Sequence, residues 1–162
     1  MLIGNLEVMD IREKLPRRGA YARRELSRIS YLVVHHSAVD VDSTAYSIAA
    51  YHVRSLDWPG IGYHFLVHWD GSTEYVGDIG RARYNVASRN HEVVGICLPG
   101  DFTRREPAAA QLESARLLLT NIQFALGWFV PIVGHKDIAL PGYGTACPGD
   151  TWDTWKPALL NG

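Results

Sequence analysis

Three kinds of hydrophobic pattern succeed one another along the chain. The first is the unbroken apolar run. Tyr31-Leu32-Val33-Val34-His35-His36 is rich in β-branched residues, lacks alternation and ends in polar groups, which suits a central strand covered on both faces. Val93 to Leu98, closed by Pro99-Gly100, is a second such strand, and Pro131 to Val133 a shorter third. The second pattern is two short runs flanking a turn: Tyr63 to Trp69, Asp70-Gly71, then Ser72 to Val76 predict a hairpin. The third is helical spacing. Ala45, Ile48, Ala49, His52 and Val53 share one side of a helix from Thr44 to about Arg54, with Ser43 as its cap. After Pro107, Leu112, Ala115, Leu119, Ile122 and Leu126 form one apolar stripe that stops at Gly127, and Trp152 to Leu160 predict a last short helix. Strands alternating with helices in this way predict an α/β fold: a single domain with a central mixed β-sheet flanked by helices.

Length and charge narrow the class. A chain of 162 residues can bury roughly 70% of its unfolded surface, so one domain needs no staples. The formal net charge of −1 argues against a nucleic-acid binder, which carries a basic excess. Two cysteines exclude a disulfide-dense scaffold and any zinc module with three or four thiolates. The N-terminus interrupts its apolar stretch with Glu7 and Asp10, so it does not read as a secretory signal, and no run approaches the roughly 18 apolar residues of a membrane span. The expectation is synthesis in the cytoplasm without a signal peptide. Charge is uneven: residues 1–30 hold seven basic against four acidic side chains, net +3, leaving −4 for the rest. Residues 1–28 therefore read as a basic arm. It either extends to meet an anionic wall or membrane surface or packs, solvated, on a domain formed by residues 29–162.

The candidate chemistry lies where predicted elements end. His35-His36 closes one strand, Gly134-His135 follows another, and Cys147-Pro148-Gly149 lies in a loop. Imidazole and thiolate together suit zinc. Ligands drawn from segments so far apart are unlike the close pairs of a zinc finger, and three protein ligands leave a fourth position for water, as in a catalytic site. Against this, a buried Cys is most often an inert small hydrophobe, and a His beside a strand is more often a satisfied polar residue than a ligand.

At these residues the sequence resembles a family. LVVHHSA (32–38), GIGYHFLVHWDG (60–71), VVGICLPGDF (93–102), PAAAQLESARLLL (107–119), GHKDI (134–138) and TACPGD (145–150) run in the order found in the zinc-dependent N-acetylmuramoyl-L-alanine amidases. These include the phage lysozyme-like endolysins and the related peptidoglycan recognition proteins. The resemblance covers about residues 28 to 157 and implies a bound Zn2+ held by His35, His135 and Cys147. His36 competes with His35, but the family's ligand follows the apolar triplet directly, and adjacent strand residues face opposite ways. Tyr63 matches the catalytic tyrosine, a donor to the developing oxyanion; the plainer reading is a strand aromatic sharing a face with Phe65 and Val67. Thr145 matches the second catalytic position, where phage members often carry Lys.

Two further positions depart from the pattern. Cys97 stands where some relatives have a Glu base and reads as a core residue, so the base role falls to Tyr63, another hydrogen-bonded group or the zinc hydroxide. Asn85 stands where the family usually has His, either contacting substrate or forming a turn. His52 reads as substrate-binding groove contact or core packing, and Asp137 as a partner of a zinc ligand or a turn cap. His64, His68 and His91 read as structural. The resemblance implies a monomeric peptidoglycan hydrolase cleaving between N-acetylmuramic acid and L-alanine of the stem peptide, reaching the wall through a phage-formed membrane hole. The alternatives are a non-catalytic peptidoglycan-recognition module on the same fold and a regulator that binds another protein.

Overall fold

The computed structural model describes residues 1–160. Three two-residue strands open the chain: β1 (Leu2–Ile3) pairs antiparallel with β2 (Leu6–Glu7), and β3 (Met9–Asp10) joins the main sheet. There follow β4 (Tyr31–His36), α1 (Ala45–Arg54), β5 (Phe65–Val67), β6 (Thr73–Tyr75), β7 (Val93–Leu98) and α2 (Ala109–Leu126). β8 (Ile132–Gly134), α3 (His135–Ile138) and α4 (Trp152–Leu160) complete the fold. The six-stranded sheet has the order β3-β6-β5-β7-β4-β8 and is mixed: β5–β6 is antiparallel, and the pairs β5–β7, β7–β4 and β4–β8 are parallel.

Helices cover both faces, which is why β4 and β7 carry apolar side chains at successive positions. Leu32, Val34, Val94, Ile96 and Leu98 meet Ala115, Leu118, Leu119 and Ile122 of α2 and Trp152, Trp155 and Leu159 of α4. The other face packs Leu66 and Cys97 against Ala45 and Ala49 of α1. The predicted stripe of α2 is buried from Ala115 through Leu126, with Leu112 partly buried at its rim.

Two boundaries differ from expectation. The cap of α1 is Thr44, whose side chain accepts the Ser47 N–H at 3.2 Å, so Ser43 lies outside. The hairpin strands are also shorter than predicted. His64 O accepts both the Val76 and Gly77 N–H groups, at 2.9 and 3.0 Å, so two residues oppose one and the pairing bulges. The extra residue lies just past β6, and on the facing side the chain bends at His64, so alternation from β5 does not extend back to Tyr63. That side chain packs with Leu66 on the α1 face rather than with Phe65 and Val67.

Candidate metal centre and groove

The centre is assembled at one end of the parallel strands. His35 is the penultimate residue of β4, His135 opens α3 directly after the parallel β8, and the C-terminal ends of such strands are where open α/β sheets place their sites. Strand parity sends the two imidazoles of the pair to opposite faces of the sheet. His36 points to the α2/α4 side, where its Nδ1 accepts the Phe102 N–H at 3.3 Å. His35 shares the opposite face with its register partner Cys97. The Cys147 loop is tied to α3 by Lys136, whose backbone N–H donates to Cys147 O at 2.8 Å and whose Nζ donates to Gly149 O at 3.1 Å. Thr145 Oγ1 accepts the Cys147 N–H at 3.1 Å, which leaves the hydroxyl proton free to donate.

These constraints bring one donor atom each of His35, His135 and Cys147 within 4.8 Å of one another, the one such group of three among the described residues. The two imidazoles meet edge to face at 4.8 Å, and Cys147 Sγ lies 3.5 Å from His35 Nδ1. Burial lowers the pKa of both histidines, that of His35 to well below the ordinary value with help from the neighbouring His135. Burial also pushes the Cys147 thiol up to about 12. The protein without metal therefore presents two neutral imidazoles and one thiol, a borderline-soft donor set that fits zinc, which would displace one proton, from sulfur, on binding.

Beside the centre, Ser37, Val39, Ser47, Tyr51, His52 and Tyr63 line a groove of about 350 Å³. The Tyr63 ring lies 5.2 Å from that of His35 and 5.6 Å from that of His52, and it packs against the buried cluster that contains Cys97. Burial holds the phenol well above its usual pKa. In the protein without metal the Tyr63 phenol is therefore held in its protonated form. His52 is buried in the wall, where its Nδ1 accepts the Gly62 N–H at 3.0 Å, and it also lines the groove. Burial lowers its pKa to about 4, so the ring is neutral and carries its proton on Nε2.

Asn85 is partly buried, and its amide bonds His35, Gly62 and Arg83. Asp137 takes the capping alternative, its Oδ2 accepting from Gly134 N, Trp152 Nε1 and Lys156 Nζ. His64 and His68 are structural but highly connected. Nδ1 of the fully buried His64 accepts the Gly95 N–H at 2.9 Å. His68 bridges Asp42 at 2.8 Å and Glu74 at 3.0 Å, which raises its pKa to about 9. Sequence reasoning missed Lys136 as the clasp of the Cys147 loop; nothing but its place beside His135 marks it.

An α/β domain with a His–His–Cys group at its strand ends and a groove beside it defines the class. The family described as N-acetylmuramoyl-L-alanine amidase matches residues 25–150, and the chain belongs to that family. Peptidoglycan-recognition protein SC2 of Drosophila melanogaster is 29% identical over 158 residues, spanning 86% of this chain and 83% of that protein. The endolysin of Klebsiella phage KP32 is 30% identical over 140 residues, spanning 82% and 87%. Among solved structures, the Ph2119 endolysin from the Thermus scotoductus MAT2119 bacteriophage superposes with a TM-score of 0.80 at 25% identity, over 94% of this chain and 99% of that one.

Proposed function

We propose that the protein is a zinc-dependent peptidoglycan amidase of the endolysin kind, hydrolysing the amide between the lactyl group of N-acetylmuramic acid and L-alanine of the stem peptide. The observation that carries this reading is the meeting of His35, His135 and Cys147 donor atoms within 4.8 Å beside a groove lined by Tyr63. Zinc, when bound, lowers the pKa of its water towards about 7 and polarises the scissile carbonyl.

The chain's own groups supply the rest. The groove seats the muramyl peptide. Tyr63 donates its O–H to the carbonyl oxygen as negative charge develops there, and burial suits it to that task because the phenol does not ionise. Thr145 offers a second, uncharged donor in place of the Lys of many phage relatives. His52 can donate its Nε2–H to a substrate carbonyl in the groove. The reading places the protein at the cell wall, reached through a membrane hole made by another phage protein.

A second reading, recognition without cleavage, has the likeness to peptidoglycan-recognition proteins in its favour. The complete donor set favours hydrolysis, since recognition needs no thiolate. Mass analysis of digested peptidoglycan separates the two. The expected result is new N-terminal L-alanine, abolished by chelator and restored by zinc; wall binding with no new amine sinks the amidase reading.

A further inference from the structure

Asn85 sits behind His35, on the side away from Cys147, and its three polar contacts determine one another. Its Nδ2 donates to Gly62 O at 3.1 Å and to Arg83 O at 3.0 Å. Two carbonyl oxygens can be met only by N–H groups, so the orientation of the amide is fixed and Oδ1 is the atom left 3.2 Å from His35 Nε2. An amide oxygen only accepts. His35 Nε2 must therefore carry the ring proton, and the lone pair falls on Nδ1, the nitrogen 3.5 Å from Cys147 Sγ.

The neighbouring chain makes room for this arrangement. Gly95 of β7 stands opposite Val33, and a Cβ there would lie 2.6 Å from Asn85 Oδ1 and 2.7 Å from its Cγ. Asn90 Oδ1 accepts the N–H groups of Asn85 and Val86, at 3.0 and 3.1 Å, and so holds the segment in place. The same Gly62 whose carbonyl takes the Asn85 amide gives its N–H to His52 Nδ1.

We propose that Asn85 is a positioning residue that locks His35 in the Nε2–H tautomer, aiming its Nδ1 lone pair at the metal position, and that Gly95 admits it. The inference rests on the amidase reading for its consequence, metal affinity, but not for the tautomer, which belongs to the protein without metal. An imidazole with no partner on Nε2 divides between tautomers, and only one of them can ligate from Nδ1.

The experiment compares wild type, Asn85→Ala, Gly95→Ala and the double variant, with the tautomer of each read in a Cys147→Ala background so that the thiol beside Nδ1 cannot itself hold the proton on Nε2. Long-range proton–nitrogen spectra of metal-free, 15N-histidine-labelled protein read the tautomer, competition with a chromophoric chelator reads zinc affinity, and thermal melting checks that each variant folds. Wild type is expected to give the Nε2–H pattern at His35. Asn85→Ala should give a mixture and lose about 10- to 100-fold in zinc affinity. Gly95→Ala should reproduce both effects, and the double variant should lose no more than Asn85→Ala alone. A pure Nε2–H ring in Asn85→Ala, or zinc affinity within twofold of wild type, overturns the proposal. A wild type that takes up no zinc overturns the amidase reading instead; the metal-free tautomer spectra then decide the role of Asn85 by themselves.

Discussion

Burial shifts each titratable side chain of the centre toward its neutral form, which suits the proposed roles of His35, His135 and Tyr63 and opposes that of Cys147, whose thiol must give up a proton to hold a metal. His35 and His135 are neutral and ready to ligate, Tyr63 stays protonated and ready to donate, and Cys147 keeps its proton until a metal takes its place. Cys147→Ala should therefore lose bound zinc and hydrolysis together, measured as metal content and turnover on the same preparation. Tyr63→Phe should keep zinc yet slow hydrolysis on the order of 10²-fold, the loss of one oxyanion donor; unchanged turnover would remove Tyr63 from that role. Arg24 has a different job. It is buried, and its guanidinium donates to the carbonyls of Ile79, Asn90 and Val93 at 2.8, 3.1 and 2.6 Å. Arg24→Ala leaves those acceptors unpaired and should cost about 3 kcal/mol in chemical denaturation.

Elements hold the groove in shape through a few joints. His68, just past β5, joins β6 through Glu74 to the 38–43 loop through Asp42, and that loop supplies Val39 and Ser43 to the groove wall. Its folded pKa, about 9, lies above the ordinary 6.5, so protonation stabilises the fold. That contribution is complete below about pH 6.5 and is lost as pH rises through about 9. The melting temperature of wild type should exceed that of His68→Gln at pH 6, and the gap should close by pH 10; a constant gap would show the bridge to be uncharged. At the end of α2, Gly127 adopts φ +81° with nothing within 4 Å of an added Cβ. Gly127→Ala therefore meets backbone strain alone and should cost about 1 kcal/mol.

At the scale of the molecule the basic arm is part of the architecture. Met9–Asp10 adds a strand to the sheet, and Ile3, Val8, Ile11 and Tyr21 are buried. Of its seven basic side chains, Arg12 pairs with Asp10, Arg17 with Glu13 and Arg18 with Asp57, and Arg24 lies inside. Removing residues 1–20 should lower the melting temperature by a similar amount at low and high salt, because what it strips away is apolar burial. The sequence by itself determined the layers. Unbroken apolar runs mark β4 and β7 because both their faces are covered, and the spacing in α2 marks its buried side because helical periodicity is local. It also supplied the three metal-site candidates, through motifs that keep their order along the chain. Only the tertiary structure decided which way Tyr63 turns, what Asn85 holds and where His68 and Arg24 bond. Those outcomes depend on a bend at His64, a glycine gap and contacts between residues as far as 69 apart, which no local pattern encodes.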